Sequence, residues 1–327
     1  MAITLLESKV GMADKVDQLV VDEFRRSSLL LDKLIFDNAV SPGTGGSTMT
    51  YGYTQLQTPA TAGFRTINSE YAAQEAKRSK ETADIKIFGG SANVDRVIQA
   101  TSGAVGEIEF QLKQKVKGAS NLFHYSVING DKTTKENEFD GLDVMLTGKS
   151  TEYNTDGIID LSTSATMDAN YKTFLDMLDE FLSEFDGQLD MLMGNAKLMT
   201  KIRSCARRAG YLTHSEDAFG RKVEAYNNIP LVDMGYFYDG TATVPSVGIY
   251  KTGTSGSEVT GQTDLYGICI GLDGFHGVSP TGNKLINTYL PDLTAPGAVK
   301  KVEVEMTAAV VLKNSRKAGA FRKIKVQ

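Results

Sequence analysis

Three histidines, His124, His214 and His276, are the first candidates for chemistry, because imidazole serves both proton transfer and metal ligation. They are separated by 90 and 62 residues and form no metal-ligand spacing. The run TGKS at 147–150 resembles the end of a phosphate-binding loop, but the glycine that motif needs five positions earlier is Asp143. GTSGS at 253–257 centres on Ser255 and has glycine at 253 and 256, which is not the frame of a nucleophile elbow. Gly194 stands alone between a strand-like run and a helical one, where a dinucleotide fingerprint would have three glycines. Asp179 and Glu180 lie on a strongly amphipathic segment and read as a solvated acidic face. No catalytic, cofactor-binding or metal-ligating set is expected.

One further cluster is cationic. Lys197, Lys201, Arg203, Arg207 and Arg208 share a helical face. Such a face can meet nucleic-acid phosphates, the carboxylates of a second copy, or water, and it lacks the interleaved aromatics of a stacking platform.

The elements around these residues follow from periodicity. Helical spacing is present at Val16, Leu19, Val20 and Phe24, and again at Leu30, Leu31, Leu34 and Ile35, so residues 1–40 read as an arm with one or two short helices. A Gly/Pro/Ser/Thr-rich stretch at 41–48 marks a hinge. Period-2 alternation at Met49, Tyr51 and Tyr53, and at Ala83, Ile85 and Ile87, predicts two strands bracketing about 25 polar residues. A lone two-stranded ribbon buries little apolar area and must lie on something, which argues for obligate assembly. From about Ser102 to Asn129, the apolar positions 105, 108, 112, 116, 119, 122 and 123 predict a spine helix of roughly seven turns, with Glu109 and Lys113 as an i,i+4 pair.

Strands are expected at 139–146, 157–162, 189–193, 229–237, 247–251 and 265–272. Helices are expected with stripes at 171–185 and 198–209, and long strands at 302–312 and 321–326. The fold class is α+β.

The chain of 327 residues is long enough for one large or two connected domains, and 41% hydrophobic against 23% charged residues is ordinary for a globular protein. The longest apolar run, at 265–272, is far short of the roughly 18 residues that span a bilayer. The N-terminal residues show no export signal, and Cys205 and Cys269 sit in apolar patterns, so a reduced intracellular pair is expected. Charge is uneven under a net of −5. Fourteen acidic residues face two lysines in 136–190, a net of −12, while 300–327 holds eight basic and two acidic residues, a net of +6. Either the two are solvated surfaces that never meet, or they are complementary faces that steer copies together.

The order of arm, extended ribbon, spine helix, mixed middle and returning strands resembles the major capsid protein of tailed bacteriophages, the Hong Kong 97 fold. The densest likeness is TPATAGFRTINSEYAAQEAKRSKETADIKIFGGSANVDRVI at 58–98. FDGLDVML, MLMGNAKLMTKIRS and NNIPLVDMG add to it. The resemblance implies an N-terminal arm at 1–40, an extended loop at 41–92, a peripheral domain from 93–144 and 299–327, and an axial domain at 145–298. It implies a subunit that assembles as hexamers and pentamers into an icosahedral shell around double-stranded phage DNA. Partners would be further copies, a separate scaffolding protein and a portal, located in the virion after assembly in the host cytoplasm, with no membrane and no cofactor.

Tyr51, Tyr53, Phe64, Arg65, Lys77, Arg78, Lys86, Arg203 and Arg207 are the expected intersubunit residues. Some relatives crosslink a loop lysine to an asparagine. Lys77, Lys80 and Lys86 are available, but nothing selects an asparagine, and no crosslink is expected. The alternatives are an encapsulin-type compartment shell and a cytosolic α/β enzyme.

Overall fold

The protein is described by a computed structural model covering residues 28–39, 47–58, 60–101, 107–210, 213–216, 222–254, 258–280 and 285–327. The expectations for residues 1–27, 40–46, 102–106 and 255–257 fall outside these.

Two sheets organise the chain. The first is five-stranded: β1 (Phe36–Asn38), β15 (Phe275–Ser279), β17 (Val299–Leu312) and β16 (Ile286–Tyr289) in that order, with β4 (Lys86–Asp95) also on β17. The β4–β17 ladder runs antiparallel from Val299 opposite Asp95 to Ala308 opposite Lys86. Its inner face carries Val302, Val304 and Met306, which alternate with outward Lys301, Glu303 and Glu305 as a half-covered strand should.

The cover is the spine helix α3 (Glu107–Asn129), 23 residues and about 35 Å long, preceded in the chain by α1 (Leu29–Lys33) and α2 (Arg96–Thr101). Leu112, Val116, Ala119, Phe123 and Val127 form its buried stripe, and Phe123 is ringed by Phe36, Phe88 and Phe139 at 5.9–6.3 Å. The expected Glu109–Lys113 pair closes at 3.0 Å on the exposed side.

Gly130 ends the spine. A Cβ there would sit 2.2 Å from the Phe139 carbonyl, and one on Gly141 would sit 2.7 Å from the Gly130 nitrogen. Only two facing glycines allow the chain to fold back this closely. The run expected as a strand at 139–146 is instead a short helix, α4 (Leu142–Leu146). Leu142 and Leu146, one turn apart, both bury against the spine core, and that spacing overrides the β-compatible composition.

The second sheet has nine strands. Its path is β5 (Glu152–Tyr153), β18 (Ala318–Lys325), β14 (Val259–Ile268), β7 (Met191–Gly194), β10 (Ile229–Asp233), β9 (Lys222–Tyr226) and β8 (Thr213–Glu216). β6 (Ile159–Asp160) joins on β18 and β13 (Tyr250–Thr252) on β14. β7 and β10 are parallel, Leu192 opposite Leu231, and the connection includes helix α6 (Ala196–Ala209). Helix α5 (Ser164–Ser183) opens on a Thr163–Thr166 capping box, and α6 opens on Asn195, whose Oδ1 accepts from the Leu198 amide at 2.9 Å. Phe174, Phe181, Phe185 and Phe321 pack their rings between α5 and the sheet.

Several expected boundaries change, and the strands expected at 247–251 and 265–272 are observed at Tyr250–Thr252 and Val259–Ile268. The alternation at 83–87 spans two strands, because buried Ile85 is a junction: β3 (Lys77–Asp84) ends before it and β4 begins after it in the first sheet. The extended ribbon therefore stops at Asp84 rather than at 92. The segment 299–327 is shared between sheets, since the turn at Ser315–Lys317 sends β18 into the second sheet, while β15 and β16 from within 145–298 belong to the first. The strand expected at 229–237 breaks at Gly235, φ +66°, and Tyr236–Tyr238 pairs with Thr243–Pro245 as a hairpin on the spine, Phe237 against Tyr125 at 5.4 Å.

Candidate intersubunit surface

The ribbon is built from β2 (Thr50–Thr58) antiparallel to β3, with Thr50 opposite Asp84, Tyr53 opposite Glu81 and Thr58 opposite Lys77. At about 3.3 Å per residue it is roughly 30 Å long.

Its root rests on this chain's own body. Tyr51 donates its hydroxyl to Asp37 Oδ2 at 2.6 Å, its ring meets His276 edge-on at 5.9 Å, and the Lys313 ammonium lies 5.2 Å from the ring centre. Gln55 Nε2 donates to the Lys313 carbonyl at 3.2 Å, and Tyr53 stacks on Tyr51. Burial and Asp37 push the Tyr51 phenol well above its usual range, while Asp37, despite partial burial, is held below its own range by Tyr51, the Asn38 amide and Lys313.

The tip, residues 60–76, has no strand partner but is organised. Arg65 donates to the Ser69 carbonyl at 3.2 Å and lies over the Tyr71 ring at 5.4 Å; Thr61 bonds Gln74. Phe64 is 109% exposed, Ile67 91% and Tyr71 66%. Exposed apolar side chains gathered on one projection are what a contact surface presents.

The expected residues thus divide. Phe64 and Arg65 are at the tip, and Lys77 and Arg78 are exposed where β3 begins. Tyr51 and Tyr53 are half-buried at the root. Lys86 lies past the ribbon and donates to the Glu136 carbonyl at 2.8 Å. Arg203 and Arg207 are on α6, beside the second sheet.

The basic face of α6 is largely occupied within the chain. Lys201 donates to the Ser162 carbonyl at 2.6 Å, Arg208 pairs with Asp168 at 2.8 Å, and Lys197 bonds Gln327, while Arg207 remains exposed.

The uneven charge resolves in a third way, which sequence reasoning missed: acidic and basic segments meet inside one chain. β18 runs beside β5 and β6, so Arg322 reaches Glu152 and Asp264 at 3.0 Å and also pairs with Asp143, while Lys325 pairs with Asp160 at 3.1 Å. Tyr250 donates to Asp264 at 2.5 Å and Tyr266 to Asp143 at 3.1 Å. Burial works against the Arg322 charge, and Tyr266, Asp264 and Asp143 outweigh it, so its pKa rises further; burial raises that of Asp264. The cluster borders a cavity of about 540 Å³. The acidic partners of Arg322 lie 58 to 179 residues from it, so no local spacing announces them.

Ile67 and Tyr71 at the tip, and the Asp37–His276–Lys313 socket under Tyr51, were likewise not singled out by sequence. Among the described residues no three His, Cys, Asp or Glu side chains converge as a metal site, and no helix is long and apolar enough to cross a membrane.

No protein-family profile and no curated protein matches the chain. Solved structures do. The holo-SrpI encapsulin complex from Synechococcus elongatus aligns with a TM-score of 0.59 at 12% identity, covering 91% of this chain and 88% of that one. A structure of Mycobacterium phage Cain aligns at 0.54 and 10% identity over 89% of each chain. The capsid of a native GTA particle aligns at 0.51 and 8% identity over 90% and 89%. The chain therefore has the mixed α+β architecture of shell proteins, the Hong Kong 97-type capsid fold. At these identities the likeness establishes the fold.

Proposed function

We propose that the chain is a major capsid protein, assembling as hexamers and pentamers into an icosahedral phage head that encloses double-stranded DNA. The observation that carries the reading is the ribbon tip, whose Phe64, Ile67 and Tyr71 stand exposed at the far end of a ribbon roughly 30 Å long, on a fold similar to known shells. A neighbouring copy covers the tip. The ribbon is then the extended loop, the spine helix with the first sheet the peripheral domain, and the second sheet with α5 and α6 the axial domain. Function resides in repeated interfaces, each modest and cooperative through closed symmetry. A separate scaffolding protein, a portal and packaged DNA are the further partners, and the virion is the destination after assembly in the host cytoplasm.

Sedimentation velocity of the recombinant chain, with negative-stain images of fast fractions, tests this. Closed shells tens of nanometres across support it. A species that stays monomeric even when co-expressed with the candidate scaffold overturns it. A second reading, an encapsulin-type compartment, is favoured by the 0.59 alignment to holo-SrpI encapsulin; protein cargo in place of DNA inside the shells distinguishes it.

A further inference from the structure

We propose that the ribbon root is an acid-sensitive latch, in which proton uptake by buried His276 releases Tyr51 from Asp37 and lets the ribbon swing about its base.

Four separate segments form the latch. β1 supplies Asp37, the ribbon Tyr51 and β15 His276, and Lys313 is the residue that follows β17. His276 is fully buried. Its Nδ1 lies 3.4 Å from the Gly274 carbonyl, and its Nε2 has no hydrogen-bond partner. A neutral imidazole that donates from Nδ1 leaves Nε2 as an unmet acceptor, an arrangement that costs free energy and persists only where the surrounding packing enforces it.

A proton on Nε2 changes the balance, because a buried cation needs an anion. The charged groups that act on His276 are Asp37, which favours the imidazolium, and Lys313, which opposes it; burial opposes it more strongly, and the imidazole is held below its usual range. Asp37 is the acceptor of the Tyr51 hydroxyl, and Lys313 is the cation over the Tyr51 ring. Imidazolium therefore draws on the one and repels the other, weakening both holds on Tyr51 together. Tyr53, the next inward position on β2, faces Glu81, Lys132 and Asp140 instead. The Ile85 amide, which donates to the Met49 carbonyl at 2.8 Å, remains as the pivot. At neutral pH the latch is closed, and below the ordinary histidine range it opens.

The inference concerns the folded chain and does not depend on shell formation. Electron–electron distance measurements on the unassembled full chain, with nitroxides at Ala60→Cys and Glu136→Cys, read the ribbon position. The expected result is a narrow distribution at about pH 7.5 that broadens towards about pH 5, with His276→Gln narrow at both and His124→Gln behaving as wild type. Lys313→Met removes the opposing cation, so its opening midpoint moves to higher pH. The latch is refuted by a wild-type distribution that stays narrow, by a His276→Gln variant that broadens as wild type does, or by a Lys313→Met midpoint that does not move.

Discussion

Arg322 Nη1 donates to Asp264 Oδ2 at 3.0 Å between adjacent strands of the second sheet, and the same guanidinium holds Glu152 from β5 and Asp143 from α4. One side chain thereby ties the helix that follows the spine to the sheet that carries α5 and α6. Replacing Arg322 with Met leaves buried Asp264 and nearly buried Glu152 without a counter-charge. A loss of about 3–5 kcal/mol is expected, read as a lower urea midpoint with an unchanged slope; a midpoint equal to wild type would show that the cluster holds nothing together.

Acid should weaken the fold through the spine. Burial pushes His124 from its ordinary 6.5 down to about 4, so in the native state it stays neutral where the unfolded chain is already protonated. The stability it preserves is complete above 6.5 and is lost as the pH falls from 6.5 towards 4. At about 1.4 kcal/mol per pH unit, this amounts to roughly 3 kcal/mol. Urea midpoints at about pH 7 and about pH 4.5 check it, and His124→Gln should flatten the dependence.

On the proposed function, changes at the tip should affect assembly and leave folding alone. Phe64→Ser together with Ile67→Ser alters side chains that are almost fully exposed, so thermal unfolding should shift by less than about 0.5 kcal/mol. Fast-sedimenting species should disappear. Replacing residues 59–76 with Asn-Gly, which suits a two-residue turn between register partners Thr58 and Lys77, should act the same way. Normal shells from either variant would break the link between tip and assembly.

Both cysteines should be silent in the native state. Cys205 and Cys269 are buried, and burial pushes each thiol up to about 11. Little thiolate is present near pH 8, so an aromatic disulfide reagent should titrate no thiols until denaturant is added, and then two. Rapid labelling of either one in native buffer would contradict the packing around α6 or β14.

Much of this architecture is legible from periodicity, and the failures have physical causes. The stripes of the spine, α5 and α6 repeat over several turns, so each predicts its own helix and buried face. Leu142–Leu146 is a single turn, too short for period 3.6 to separate from period 2. Residues 302–312 and 321–326 both read as strands, correctly, but nothing local says that a turn at Ser315–Lys317 assigns them to different sheets. Of the expected interface residues, Phe64, Arg65, Lys77 and Arg78 lie on the exposed outer part of the ribbon. Tyr51 alternates in the same pattern, yet it faces a socket assembled from Asp37, His276 and Lys313, positions up to 276 residues apart that no window brings together, and Tyr53 faces Glu81, Lys132 and Asp140.

The partition of the last strands also sets an order of events during synthesis. β17 carries β4, β15 and β16 in the first sheet, and β18 lies between β5 and β14 in the second, so neither layer is complete until residues 299–325 have emerged from the ribosome. The ribbon, made from residues 50–84, is translated long before the body that anchors it. A nascent chain therefore carries Phe64, Ile67 and Tyr71 before either sheet is finished, and the proposed association of copies has no completed body to act on until residues 299–325 are made.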